Sequence, residues 1–127
     1  MNAASNRVLV SVVPEAKARI QTLFPDCDLE FVDSYADAAL AIKSHRYGAA
    51  VIGVHLGATL VESLARLIAE IQPSVRIIAV AGVDRGPIRM PTFDSHVGIE
   101  GPFDVSSDPL ARPAQEAISA IVKKCAR

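Results

Sequence analysis

Residues 49–80 read AAVIGVHLGATLVESLARLIAEIQPSVRIIAV, and this stretch decides the fold. Ala49 to Val54 is small and apolar throughout, the composition of a strand buried on both faces. Leu60, Leu64, Leu67, Ile68 and Ile71 then recur at helical spacing, with Glu62, Arg66 and Glu70 outside the stripe. Pro73 ends that helix, and Val75 to Val80 returns to a continuous apolar run. A buried strand, an amphipathic helix and a second buried strand make a parallel βαβ unit.

The alternation continues outward in both directions. Val8 to Val13 is a β-branched first strand, and Pro14 opens a helix at a position where its missing N–H costs nothing. Ala16, Ile20, Leu23 and Phe24 share one face of that helix, and Pro25-Asp26 ends it. Leu29 to Val32 reads as a short second strand. Ser34 is the expected N-cap of a helix with Ala36, Ala39, Leu40 and Lys43 on one side, and Gly48 its stop. Toward the other end, Val97 to Ile99 is a fifth strand. Ala114, Ala117, Ile118, Ile121, Val122 and Cys125 lie on a last helix that starts near Pro109 or Pro113. Between Ala81 and Val97, Gly82, Gly86, Pro87 and Pro91 leave room for a short or irregular fourth helix at most.

These elements predict a flavodoxin-like α/β three-layer sandwich. Its parallel sheet has five strands in the order 2-1-3-4-5, with helices on both faces. The chain of 127 residues fits one domain, residues 1–127, with a polar tail at 1–6. Leu64 and Ile118 should be core residues. Binding crevices in such sheets lie at the carboxyl ends of the strands, here after Val10, Val54, Val80 and Ile99.

Composition narrows the function classes. Half of the residues are hydrophobic and only 5% aromatic, so aliphatic side chains must fill the core. Mean hydropathy is +0.30, net charge -1 and pI about 6.3, a balance without the basic patch that nucleic acid demands. Lys123, Lys124 and Arg127 read as a solvated helix end, where cations are favoured. No apolar run is long enough for a transmembrane helix, and Met1 to Asn6 lacks a signal-peptide pattern. Cys27 and Cys125 sit far apart without metal-ligand spacing, and are expected as reduced thiols of a cytoplasmic protein.

Taken in order, the segments resemble the receiver domain of bacterial response regulators. Arg7-Val8-Leu9-Val10 with Pro14-Glu15 is similar to the family's first strand and helix start, and Ser34 to Leu40 to its second helix. Leu60 to Ile71, Pro73 and Val75 to Val80 are similar to its third helix and fourth strand. Gly101-Pro102-Phe103 resembles the Lys-Pro-Phe that follows its fifth strand. The resemblance implies a phosphorylation pocket made of two acidic residues, an acceptor aspartate, a hydroxyl residue and a lysine. Carboxylates suit Mg²⁺, which wants hard oxygen ligands, and a cation suits the anionic phosphoryl group.

This chain departs at each of those places. The acidic pair falls on Ser11-Val12 or Val12-Val13, the acceptor on Gly53, the hydroxyl residue on Ala81 and the lysine on Gly101. The family's aromatic switch position falls near Gly98. Glu15 and Glu100 are the only carboxylates near enough to restore a charge; Glu15 is expected in a first helical turn, and Glu100 before a Gly101-Pro102 turn. The expectation is a degenerate pseudo-receiver without catalytic, metal-binding or cofactor-binding residues.

Other signals are weaker. His55, in Gly53-Val54-His55-Leu56-Gly57, resembles part of a cobalamin-binding motif but lacks its aspartate and glycine spacing. No Gly-rich phosphate loop occurs. Ser11 has no readable His and acid partners, and Cys27 no C-x-x-C partner. Arg85, Arg89, Met90 and Phe93 occupy the irregular segment, and Arg and aromatic residues are enriched in interface hot spots. The expected role is regulatory signalling through contact with a protein partner or a second copy, on a face containing Arg85, Arg89 and Phe103. Neither nucleic acid nor membrane is an expected partner. The alternative is a small-molecule-binding domain whose ligand occupies the crevice near Gly53, Ala81 and Gly101.

Overall fold

The computed structural model describes residues 6–81, 93, 97–107 and 109–125. Its five strands are β1 (Arg7–Ser11), β2 (Asp28–Phe31), β3 (Ala49–Gly53), β4 (Arg76–Ala81) and β5 (Ile99–Asp104). The α-helices are α1 (Lys17–Leu23), α2 (Tyr35–Ser44), α3 (Ala58–Ile71) and α4 (Arg112–Cys125), with 3-10 turns at Pro14–Ala16 and Val54–Leu56. All strand pairs are parallel and the order is β2-β1-β3-β4-β5, the flavodoxin-like arrangement expected from the alternation.

Each face of the sheet has its own helices. Val8, Val10, Val51, Ile78 and Val80 pack under Ile20 and Phe24 of α1 and Ile118 and Ile121 of α4. Leu9, Ala50, Ile52 and Ile77 pack under Ala38 and Ile42 of α2 and Val61, Leu64 and Ile68 of α3. Alternating residues of each inner strand therefore serve opposite cores, which is why these strands read as unbroken apolar runs. Leu64 and Ile118 are both core residues. Ser34 caps α2 by accepting the Asp37 N–H at 3.1 Å.

Two helix faces differ from expectation. On α2 the buried residues are Ala38, Ala41 and Ile42, while Leu40 is 66% exposed. On α3 the buried line is Val61, Leu64, Ala65 and Ile68, and Leu60 and Ile71 lie on its exposed flank. Small residues explain the shift on α2: Ala38 and Ala41 lie beneath it, so a stripe drawn through Leu40 lands to one side.

β5 also differs. Gly101-Pro102-Phe103 lies inside the strand, not in a turn after it. A register irregularity between Ile78 and Val80 accommodates the segment, and Gly101 adopts a φ of 98° there. An edge strand tolerates a proline that a central strand would not. Glu100, expected before a turn, is in β5, where its carboxylate accepts from Arg76 Nε at 2.6 Å and Nη2 at 2.9 Å.

The cysteines are joined, contrary to the expected reduced thiols. Cys27, in the loop between α1 and β2, is disulfide-bonded to Cys125 at the end of α4, with Cα atoms 5.0 Å apart. Helices of a parallel βα fold run opposite to the strands. The last turn of α4 therefore arrives at the end of the sheet where β2 begins. The pairing is spatial, across a sequence separation of 98. The expected irregular fourth helix, together with Arg85, Arg89 and Met90, lies outside the described residues. Phe93 is half-buried against the α2/α3 core.

Candidate functional site

The carboxyl edge of the sheet is built by residues that the pairing register brings level. Ser11 pairs with Ile52, Gly53 with Val80 and Ala81 with Asp104. Ser11, Val12, Gly53 and Ala81 thus share one edge, and all four are buried. Gly101 is not among them. It lies within β5 near Ala79, and a Cβ there would sit 2.8 Å from both Ala79 O and Phe103 N. The β5 residue that reaches the edge is Asp104. Phe103, level with Val80, is half-buried against the α1/α4 core.

Space above Gly53 is taken by a neighbour. Val54–Leu56 turns back as a 3-10 turn and lays the His55 ring beside the glycine. A Cβ on Gly53 would fall 2.5 Å from His55 Nδ1 and 3.1 Å from Ser11 O. A side chain at this position therefore displaces the imidazole. Gly57, with a φ of 91°, then starts α3 without a side-chain cap.

Ser11 Oγ is buried and has no hydrogen-bond partner among the described residues. Beside it, among the described residues, stand the apolar Val12 and Ala81 and the His55 imidazole at Gly53. None of these side chains is a carboxylate, the ligand a hard cation prefers.

Asp104 brings a charge to this edge and is already engaged. Its Oδ1 accepts from the Ser106 N–H at 2.9 Å and the Ser106 hydroxyl at 2.6 Å, and Oδ2 from the Ser107 hydroxyl at 3.4 Å. The Ser106 side-chain bond is the main reason its carboxyl lies below the ordinary carboxylate range. Arg19 of α1 completes the turn by donating Nε to Val105 O and Nη2 to Ser107 O, each at 2.8 Å. Sequence reasoning missed this arrangement. Its signal was Asp104-Val105-Ser106-Ser107, an aspartate able to bond the backbone two residues on.

Glu15, the other candidate carboxylate, is exposed in the first turn after Pro14. Among the described residues, no group of three or more His, Cys, Asp or Glu is arranged to hold a metal ion. No described helix is long and apolar enough to cross a membrane. No family model, curated protein or solved structure matches the chain.

Proposed function

We propose that the chain is a pseudo-receiver, a signalling module of receiver-like fold that acts through protein contacts without phosphoryl-transfer chemistry. The observation that carries this reading is the His55 ring at Gly53. The position matching the family's acceptor aspartate is a glycine whose Cβ space is filled by an imidazole. The apolar Val12 and Ala81 beside it support the same reading, as does the full engagement of Asp104 with its own turn. A protein partner or a second copy then sets the state of the module. Location in the cytoplasm belongs to this reading through the resemblance alone, since the Cys27–Cys125 bond removes the free thiols that argued for it.

A small molecule in the crevice is less well supported. Its ligand was to sit by Gly53, Ala81 and Gly101, but a ring covers the first and the third lies inside β5. The test is intact-mass measurement after incubation with acetyl phosphate and Mg²⁺, kept cold and near neutral pH. The mass should not change. A stoichiometric gain of one phosphoryl group, abolished by changing a single carboxylate, would overturn the reading.

A further inference from the structure

The two sulfurs of the Cys27–Cys125 bond sit in unlike surroundings. Cys125 closes α4 and is buried, 7% exposed. Cys27 is half-buried in the loop after α1, where Pro25, Asp26 and Asp28 are all exposed. A thiolate cleaves a disulfide by attacking one of its sulfurs, and access helps to decide which one is taken. The loop leaves Cys27 within reach, whereas the helix shields Cys125.

The shielded sulfur has a place to rest once it is released. Cys125 Sγ lies 3.5 Å from Asn6 O, which also accepts the Asp28 N–H at 3.1 Å. A thiol at Cys125 can donate to that carbonyl, so cleavage leaves no orphaned group behind. Val8, Ala49 and Ile121 line a hollow beside it, surroundings that suit a small apolar side chain. Cys125 therefore stays close to Cys27 after the bond is cut. The bond also secures the end of α4. Ile118 and Ile121 anchor the helix in the core, but Val122 is half-buried and Lys123 and Lys124 are exposed. Of residues 122–125, only Cys125 is buried.

We propose that Cys27–Cys125 is a reversible thiol-exchange site for a dithiol reductant, with Cys27 as the attacked sulfur and Cys125 as the resolving cysteine. One thiolate of the reductant attacks Cys27 Sγ and forms a mixed disulfide. The Cys27–Cys125 bond breaks, and Cys125 leaves with the electron pair and takes a proton from water. The reductant's second thiolate then attacks its own sulfur in the mixed disulfide and expels Cys27, which is protonated in turn. The reductant departs as a cyclic disulfide and the protein has gained two electrons. If Cys125 attacks Cys27 Sγ before that second step, the original bond is restored and the reductant is expelled. In the reduced chain a hydrogen bond replaces a covalent one at the end of α4. The last turn stays helical on average but moves more freely. Neither step depends on the pseudo-receiver reading.

The experiment compares the full-length Cys125→Ser and Cys27→Ser variants, each with one thiol, in their reaction with dithiodipyridine under native conditions. Cys27, free in the first, should react at least about tenfold faster than Cys125 in the second, and the rates should converge in urea. Equal native rates, or a faster Cys125, would overturn the proposal. Thermal melts check that both variants fold, and the parent chain gives the same answer without substitution. Brief treatment with 2-mercaptoethanol, acid quenching and peptide mapping should place the adduct on Cys27; an adduct mainly on Cys125 would also overturn it. ¹⁵N relaxation of the chain reduced with dithiothreitol reads the helix end. Order parameters should fall at residues 122–125 and hold at 114–121, and unchanged order at 122–125 would show that the bond does not govern that turn.

Discussion

Ser11 carries a buried hydroxyl that lacks a partner among the described residues. A buried hydroxyl without a hydrogen bond costs about 1–3 kcal/mol, so removing the oxygen relieves a penalty. Ser11→Ala should raise the unfolding free energy by about 1 kcal/mol in urea denaturation. A loss of similar size would show that the oxygen is bonded after all. Burial, aided by the Glu30 carboxylate, pushes the Tyr47 phenol well up, so it stays protonated throughout the physiological range. Glycines make the opposite prediction. Gly101→Ala puts a Cβ 2.8 Å from the Ala79 carbonyl oxygen at a φ of 98°, and should cost about 1–3 kcal/mol by the same measurement. Asp104 supplies a pH signature. Its pKa is lower in the folded chain, so its contribution is complete above the unfolded value of about 4 and is lost as pH falls through the folded value. Asp104→Asn should therefore flatten the acid limb of the stability curve below about pH 4. A variant that declines as steeply as the parent would refute that assignment.

Individual elements were legible in the sequence wherever periodicity and burial agree. The apolar runs of β1, β3 and β4, the Ser34 cap and the buried face of α4 all follow from residue type and spacing. What escaped depends on what an element packs against. Leu40 reads as core by hydrophobicity, yet Ala38 and Ala41 face the sheet because α2 lies close to it. Leu64→Ala should cost about 2–5 kcal/mol, whereas Leu40→Ser should change stability by less than about 0.5 kcal/mol. Denaturation midpoints of the pair distinguish the observed faces from those drawn by hydrophobicity. The fifth strand was expected at Val97 to Ile99 and shares only Ile99 with the observed β5, because Gly-Pro is turn chemistry in most settings and only a position at the sheet edge permits it in a strand. At the candidate site, missing carboxylates could be read from Gly53 and Ala81. The ring beside Gly53 could not, because nothing in residue order shows where the 3-10 turn sends His55.

Across the molecule, two aliphatic cores on a parallel sheet account for the architecture, and one covalent bond adds to it. Cys27–Cys125 was illegible because the two residues are separated by 98 positions and carry no motif. In the chain-entropy account, closing a loop of that length restrains the unfolded state by up to about 4.7 kcal/mol. Reduction should lower the urea midpoint without altering the helical circular dichroism of the folded chain. An unchanged midpoint would remove the bond from the stability argument.

The same bond makes the polypeptide topologically close to a ring with two short tails. Pulled by handles at residues 1 and 127, the oxidised protein can pay out only the segments before Cys27 and after Cys125. Its contour length would grow to about 100 Å, against more than about 400 Å for the reduced chain at roughly 3.5 Å per residue. Mechanical load applied at the ends therefore bypasses β2, β3, β4 and β5, which lie inside the closed loop, and falls on β1 and α1.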